Sequence, residues 1–161
     1  MINLVIMRHG EAQVQAATDN LRALTENGRH EVQQMALWLA NTYPAFDYVW
    51  VSPYLRTRET AALMLEAQQH AAILEVLPEL VPEAPAALVQ QRLDLLLAAE
   101  PDARVLMVSH MPLVSFLVAA FTLPDQAPVF STAAVCCISY DTALGGKLLE
   151  RNSPLELSMF K

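Results

Sequence analysis

LVIMRHGEA, residues 4–12, passes from four apolar residues directly into an arginine, a histidine and a glycine. A short apolar run that is rich in β-branched residues is typical of a strand buried on both faces, here predicted over residues 2–7. Strands of this kind belong to sheets that helices cover on both sides. Arg8 and His9 then stand at the carboxyl end of such a strand, which is where ligands bind in open α/β sheets.

The remaining chain alternates strand and helix patterns. Further strands are predicted at 48–52, 72–77 and 104–109. Helices are predicted from Thr25 to about Tyr43, from Pro53 to about Gln69 and from Pro112 to Phe121. Another helix, which ends before Pro101, is predicted to have Val89, Leu93, Leu96 and Leu97 on its inner face. AVCCISYD (134–141) and KLLERN (147–152) are predicted to form a closing hairpin that turns through Gly145-Gly146. The alternation predicts an α/β fold: a three-layer α/β/α sandwich with a mixed, mostly parallel sheet, in a single domain over residues 1–161.

The composition limits the classes of partner. The chain has 161 residues, of which 54% are hydrophobic and 17% charged, as is typical of a globular protein. Its formal net charge of -7 argues against a nucleic acid or an anionic membrane as partner. An anionic ligand would have to be bound by a local group of cationic side chains, so the position of each arginine is informative.

Several features predict a cytoplasmic protein. The N-terminal apolar stretch is too short for a signal peptide, has no basic leader and leads straight into Arg8 and His9. The sequence has no segment that is long and apolar enough to predict a membrane span. Cys136 and Cys137 would point to opposite faces of a strand, so we expect two small buried thiols and no disulfide between them.

Polar side chains follow three of the predicted strands. Arg8 and His9 come after the first strand, SPYLRTRET after the second carries Arg56 and Arg58, and SHMP after the fourth carries His110. Because the carboxyl ends of parallel strands meet at one edge of a sheet, these side chains are expected to converge. The sequence therefore predicts a cationic site at this edge.

Arginine and histidine side chains together suit phosphate chemistry. Guanidinium groups match phosphoryl oxygens and stabilise their charge. Neighbouring cations would keep the imidazole of His9 neutral, so that one ring nitrogen has a lone pair that can attack phosphorus. The other ring N–H needs an acceptor, and Gly10 lets the backbone fold close enough to offer its carbonyl. His110 would be a second donor to the phosphoryl group, and no metal is required because side chains supply the positive charge.

Each of these residues taken alone has a simpler interpretation as a strand-end cation, a turn residue or a surface residue. Their common position after apolar strands favours the functional interpretation. Arg58, His30 and His70 are interpreted as surface residues. The sequence has no HxH, HxxxH or CxxC spacing, which argues against a zinc site.

Four motifs in this order, MRHGEA, LT-x-x-G, VSPYLRTRET and VSHMPLV, resemble those of the histidine phosphatase superfamily, whose members have a phosphoglycerate mutase-like fold. The stretches LRALTENG, LPEL and SHMPLVSFLV are similar in particular to bacterial phosphohistidine phosphatases of the SixA type. The resemblance runs over nearly the whole chain. It implies that His9 becomes phosphorylated and that the phosphate pocket is completed by Arg8, Arg56, His110 and Arg22.

Two departures from the wider superfamily concern the roof and the acid of the site. Mutases and larger phosphatases carry a long insertion above the pocket, whereas the span between the third and fourth strands here holds little beyond one helix, so the pocket is expected to admit a bulky substrate. Glu79 of LPEL falls near the superfamily's acid, but members of the SixA type are thought to need none, so Glu79 is either an acid or a solvated loop carboxylate. Glu11 is expected to brace the pocket arginines rather than transfer protons.

The resemblance implies a cytoplasmic phosphohistidine phosphatase that works as a monomer, through a phospho-His9 intermediate and without a cofactor. The expected substrate is a histidine-phosphorylated protein, either the phosphotransfer domain of a sensor kinase in a two-component relay or a phosphocarrier. Two alternatives stay open. One is a phosphatase of small phosphomonoesters, for which Glu79 would be essential, and the other is a non-catalytic module that binds phosphorylated partners.

Overall fold

The computed structural model describes residues 1–159. Its strands are β1 (Leu4–Arg8), β2 (Tyr48–Val51), β3 (Ile73–Val76), β4 (Val105–Ser109), β5 (Val135–Asp141) and β6 (Gly145–Asn152). Its helices are α1 (Glu26–Thr42), α2 (Leu55–Glu66), α3 (Ala86–Ala99), α4 (Leu113–Phe121) and α5 (Pro154–Met159), with short 3-10 turns at Asp19–Leu21 and Pro78–Leu80. Within this range, no helix combines the length and apolar character needed to cross a membrane.

The strands form one mixed sheet in the order β3-β2-β4-β1-β5-β6. The four strands β1 to β4 pair in parallel. β5 runs antiparallel to β1, and β6 runs antiparallel to β5. In the register of the central pair, Arg8 lies opposite Ser109. The residues that follow these two positions, His9 and His110, therefore leave the sheet side by side.

Helices cover both faces of the sheet, which confirms the predicted three-layer α/β/α sandwich. One core packs alternate residues of β1, such as Leu4 and Ile6, against α3 and α4. The other packs Val5 and Met7 against α1 and α2. Burial on both faces explains why β1 is an almost continuous apolar run rather than an alternating one.

The neighbouring cysteines of β5 divide between these two cores, as expected for alternate positions of a strand. Cys136 belongs to the core beneath α3 and α4. Cys137 belongs to the core beneath α1 and α2. Both thiols are free and buried, and burial raises the pKa of each to about 12.

Several predicted boundaries are wrong. Helix α2 begins at Leu55 rather than Pro53 and ends at Glu66 rather than near Gln69. The chain after β2 first folds back on Ser52, whose hydroxyl oxygen accepts from the backbone N–H of Tyr54 at 3.4 Å, and Tyr54 is still extended. The helix therefore starts only once this turn is complete.

The hairpin does not turn through Gly145-Gly146, because both glycines belong to β6. The carboxylate of Asp141 makes the turn instead, accepting from the backbone N–H groups of Ala143 and Leu144 at 2.8 Å each. Gly145 has a positive φ of 79°, and a Cβ on Gly146 would lie 2.2 Å from the carbonyl oxygen of Phe121. Helix α5 was not predicted at all.

Candidate active site

The ends of β1 and β4 bring two histidine rings together. The backbone N–H of His9 donates to the carbonyl of Ser109 at 3.1 Å, which continues the pairing of the strands by one residue. The ring centroids of His9 and His110 are 5.2 Å apart. His9 is 7% exposed and His110 1%. The structure thus brings together the two histidines that the sequence placed after separate strands.

The ring of His9 is fixed by the residue that follows it. Its Nδ1 lies 2.7 Å from the carbonyl oxygen of Gly10, the contact that the sequence predicted. Because a carbonyl only accepts, the proton is on Nδ1 and the lone pair is on Nε2. Burial, together with the positive charges of Arg56 and Arg8, lowers the pKa of His9 to about 4, although the bond to Gly10 acts in the other direction. At neutral pH the ring is therefore uncharged, and its Nε2 lone pair is available for nucleophilic attack.

Close backbone packing positions this segment, and it explains the LT-x-x-G motif. A Cβ on Gly10 would lie 2.8 Å from the carbonyl oxygen of Gly28, and a Cβ on Gly28 would lie 2.1 Å from that of Glu11. Thr25 caps α1 by accepting from the backbone N–H of Gly28 at 2.9 Å. The loop that carries His9 is therefore set directly against the start of α1.

The prediction that Glu11 braces the pocket arginines is wrong. Its carboxylate accepts from the hydroxyl of Thr25 at 2.8 Å and from the amide of Asn27 at 3.3 Å. The chain turns sharply after Gly10, so the Glu11 side chain meets the amino end of α1, where a carboxylate is favoured. Its role is to hold the loop and the helix together.

Arg56 is buried in the first turn of α2, with 5% of its surface exposed. Its Nη1 donates to the backbone carbonyl of Asp19 at 2.8 Å and its Nη2 to the carboxylate of Asp19 at 3.2 Å. The guanidinium also lies 5.0 Å from the ring centre of Tyr54. Thr60, one turn further along, accepts from the backbone N–H of Gly10 at 3.2 Å, which ties α2 to the loop after β1.

Arg8, the last residue of β1, is the second arginine of the cluster. Its Nη1 donates to the carbonyl of Phe130 at 2.8 Å. Burial, and the like charge of Arg56, lower the pKa of Arg8. The Nε atoms of both arginines are buried and have no hydrogen-bond partner within residues 1–159. Two half-satisfied cations that repel each other form a site that an anion stabilises.

Arg22 joins this cluster through Asp19, which the sequence analysis missed. Nη1 of Arg22 donates to the carboxylate of Asp19 at 3.0 Å, and its Nε donates to the carbonyl of Gln13 at 2.5 Å. The charge of Arg22 contributes to lowering the pKa of His9, which places it near the ring. Asp19 is an exposed loop residue with no apolar periodicity around it, so no sequence signal marked it.

His110 is positioned by Ser52, a second residue that was missed. Its Nε2 lies 2.8 Å from the hydroxyl oxygen of Ser52, and its ring is 4.9 Å from that of Tyr54. Burial, followed by the fields of His9 and Arg56, lowers the pKa of His110 to about 3. Nδ1 is buried without a partner in the described part of the chain. The Ser52 hydroxyl oxygen already accepts from the backbone N–H of Tyr54, so we expect its own proton to be donated to Nε2 of His110 and the ring proton to lie on Nδ1, from where it can be donated to an anion.

Glu79 lies in the 3-10 turn that follows β3. Its carboxylate pairs with Arg92 at 3.1 Å, and both residues line a surface pocket of about 320 Å³ with Leu88, Gln91 and Leu95. The neighbouring carbonyl of Leu80 accepts from the hydroxyl of Ser109 at 2.6 Å, so this turn is fastened to the end of β4. A role for Glu79 as an acid stays a prediction.

The remaining polar residues lie outside the site as expected. Arg58 is exposed and its Nε donates to the carbonyl of Pro53 at 2.9 Å. His30 and His70 are exposed. Among the residues that the structure describes, no group of three His, Cys, Asp or Glu side chains could hold a metal ion.

The arrangement suits transfer of a phosphoryl group to a histidine. Arg8, Arg56 and Arg22 supply positive charge, and His110 supplies a neutral donor. His9 supplies a lone pair on Nε2, held in a fixed direction by its Nδ1 bond to Gly10. Such pre-positioned donors stabilise charge that develops in a transition state and need no reorganisation during the reaction.

Comparisons with known proteins agree with this arrangement. The family described as the histidine phosphatase superfamily (branch 1) matches residues 4–81. The phosphohistidine phosphatase SixA of Escherichia coli is 38% identical over 160 residues, covering 99% of each chain. A SixA homolog of Haemophilus influenzae is 31% identical over 164 residues, covering 96% of this chain and 98% of its own. A solved structure of the protein histidine phosphatase SixA complexed with tungstate superposes with a TM-score of 0.90 at 38% identity, covering 96% of this chain and 98% of that one.

Proposed function

This chain belongs to the SixA family of the histidine phosphatase superfamily, and from that membership we propose that it is a phosphohistidine phosphatase. Its substrate is a protein that carries a phosphoryl group on a histidine. The observation that carries the proposal is the Nδ1 bond of His9 to Gly10, which directs the lone pair of Nε2, while the charges of three arginines act on the ring.

The proposed reaction has two steps. In the first, Nε2 of His9 forms a bond to phosphorus as the P–N bond of the substrate breaks, and the substrate imidazole leaves with its electron pair. In the second, water attacks the same phosphorus, the bond to His9 breaks, and inorganic phosphate leaves while Nε2 regains its lone pair. Arg8, Arg56 and Arg22 neutralise the phosphoryl oxygens, and Nδ1–H of His110 donates to one of them.

Two features favour a P–N bond in a bulky substrate. The stretch between β3 and β4 contains a 3-10 turn and α3, so no long insertion roofs the site in residues 77–104. The carboxylate nearest to the superfamily's acid position, Glu79, is paired with Arg92. An imidazole leaving group needs less help from a general acid than an alkoxide, because its second nitrogen already carries a proton.

The proposal extends to the substrate protein, the cellular compartment and the oligomeric state. The partner is the phosphotransfer domain of a sensor kinase or a phosphocarrier protein, which would place the enzyme in a two-component or phosphotransfer relay in the cytoplasm. It acts as a monomer and without a metal. The short span between β3 and β4 supports this choice, because without a long insertion there a phosphohistidine on a folded domain would not need a lid to move.

The test is release of phosphate from a purified phosphotransfer domain labelled on its histidine, measured beside a panel of sugar phosphates. We expect rapid release from the labelled protein and little from the esters. The variant H9A should abolish release, and H30A, which removes an exposed histidine, is the matched control and should retain it. Turnover of the esters alone would replace this proposal with a phosphomonoesterase. Stable binding without release would replace it with a phosphate-binding module.

A further inference from the structure

The strongest feature that the proposed reaction does not use is Asp19, the residue that joins two of the site's arginines. Its Oδ1 accepts from Arg22 at 3.0 Å and its Oδ2 from Arg56 at 3.2 Å. Asp19 thus places a negative charge against two of the cations that are proposed to bind phosphate. These contacts use the terminal nitrogens of the guanidinium groups, which are the atoms that match phosphoryl oxygens.

The backbone carbonyl of Asp19 also contacts the arginines, independently of its carboxylate. Its carbonyl oxygen accepts from Nη1 of Arg56 at 2.8 Å and from the backbone N–H of Arg22 at 3.2 Å. The 3-10 turn at Asp19–Leu21 therefore holds Arg56 even when the side chain is changed. The contribution of the charge can be separated from that of the geometry.

The charges of the cluster are unbalanced without Asp19. His9 and His110 are neutral at pH 7, because burial lowers the pKa values of both rings. Three arginines then face an incoming phosphoryl group, and a site with three cations would hold the product phosphate strongly. The Asp19 side chain is 59% exposed, whereas that of Arg56 is 6% exposed, so the acid stands at the solvent side of a buried cation.

We propose that Asp19 is an internal counter-anion, which holds Arg22 and Arg56 between turnovers and competes with phosphate for them, so that the product leaves quickly. The inference rests on the proposed function for its role in turnover, but its effect on phosphate affinity follows from the charges alone. Asp19 is a positioning residue, since it acts on phosphate through the two arginines.

The experiment measures binding of inorganic phosphate to the full-length protein by calorimetry, for the wild type and for D19N. Asparagine keeps an acceptor oxygen and the backbone contacts but removes the charge. We expect D19N to bind phosphate about fivefold more tightly, the factor that one unit charge contributes at about 4 Å in a solvent-like medium. The effect should shrink as salt is added.

D102N is the matched control, because Asp102 is exposed in the turn before β4, at the opposite edge of the sheet. It makes the same change in net charge and should leave phosphate affinity unaltered. Product inhibition of phosphohistidine hydrolysis gives a second readout: the inhibition constant of phosphate should fall in D19N while KM for the phosphoprotein does not rise. Thermal unfolding of D19N and of a second variant, D19S, checks that both are folded.

Each outcome decides one question. Tighter phosphate binding by D19N supports the counter-anion. Equal or weaker binding by folded D19N and D19S overturns it and leaves Asp19 as a structural clamp for the arginines. Failure of the wild type to hydrolyse phosphohistidine would instead overturn the proposed function, and the affinities for inorganic phosphate would still test Asp19.

Discussion

Arg104 and Arg56 are both buried arginines, but they lie at opposite edges of the sheet. Arg104 precedes β4, and its guanidinium donates to the backbone carbonyls of Ala45 and Ile2. Asp47 lies beside it and opposes the lowering of its pKa by burial. Arg56 follows β2, and the charge of Arg8 lies nearby, so the two cations repel each other.

The difference lies in the charges that surround each guanidinium group. Arg104 has an opposite charge and backbone acceptors that belong to the fold itself. Each of the three arginines keeps one buried nitrogen without an acceptor in residues 1–159, which is Nε in Arg8 and Arg56 and Nη2 in Arg104. Arg56 also has an acid beside it, Asp19, so the difference between the two sites is the second cation, Arg8, near Arg56. Like charges that are brought together away from water cost stability, so we interpret Arg8 and Arg56 as a site that a bound anion would stabilise.

The largest effect is expected from R56A, which should lower activity. Removing a donor that stabilises charge in the transition state should lower kcat/KM for the phosphoprotein by about 10²- to 10³-fold. Stability should also fall, because the variant loses both bonds to Asp19 and leaves a cavity at a buried position, so activity is compared per folded molecule. R58A, two residues along the same helix and exposed, is the control and should retain activity. A comparable loss in R58A would mean that the helix, and not the buried guanidinium, is responsible.

R104M should lower stability and leave turnover unchanged. Breaking the contacts of a buried charge costs about 3 kcal/mol, so the free energy of unfolding in urea should fall by roughly that amount. Turnover per folded molecule should be unchanged, because Arg104 lies at the far edge of the sheet. Loss of turnover in R104M under conditions where it is fully folded would contradict the division between the two edges.

The buried histidines predict a pH dependence of stability. The ordinary pKa of histidine is 6.5, whereas in the folded protein that of His9 is lowered to about 4 and that of His110 to about 3. Below pH 6.5 the unfolded chain therefore takes up protons that the folded chain does not, and the free energy of unfolding should fall as pH drops from 6.5 towards 4. Well above pH 6.5, where both states leave these histidines uncharged, they contribute no slope.

Denaturation curves across this pH range test the point with two variants. H9N should reduce the slope, because one buried titrating group is gone. H30N removes an exposed histidine and should keep the slope of the wild type. Identical slopes in H9N and in the wild type would show that His9 titrates normally in the folded protein.

The smallest effect is expected from E79Q. Because Glu79 pairs with Arg92 and a P–N bond breaks without a strong acid, hydrolysis of phosphohistidine should fall by less than about threefold. R92Q breaks the same pair from the other side and is the matched variant. A fall in E79Q alone, of 100-fold or so in the manner of a lost general acid, would make Glu79 catalytic and sharpen the case for ester substrates.

The sequence predicted the parts of this molecule that local patterns determine. β1 and β4 are recognisable because their burial on both faces requires continuous apolar residues, and His9 and Gly10 follow from the end of a strand. The capping threonine of α1 is likewise a local signal. Convergence of the strand ends then follows from the topology alone.

The missed residues depend on contacts between distant segments. Asp19 meets Arg56 across 37 positions, and Ser52 meets His110 across 58, so neither pairing leaves a trace in the neighbouring sequence. The error about Glu11 has the same origin, since its partners are decided by how closely Gly10 and Gly28 approach. Geometry of that kind is available only after the elements have packed.

Because Cys136 and Cys137 lie in different cores, their thiols can report on the opening of each core separately. Each thiol is buried on a different face of the sheet, so modification of Cys136 by a thiol reagent reports opening on the face of α3 and α4, and modification of Cys137 reports opening on the face of α1 and α2. Labelling kinetics of the variants C136A and C137A would therefore measure the breathing of each half independently. A single strand thus records which side of the protein opens first.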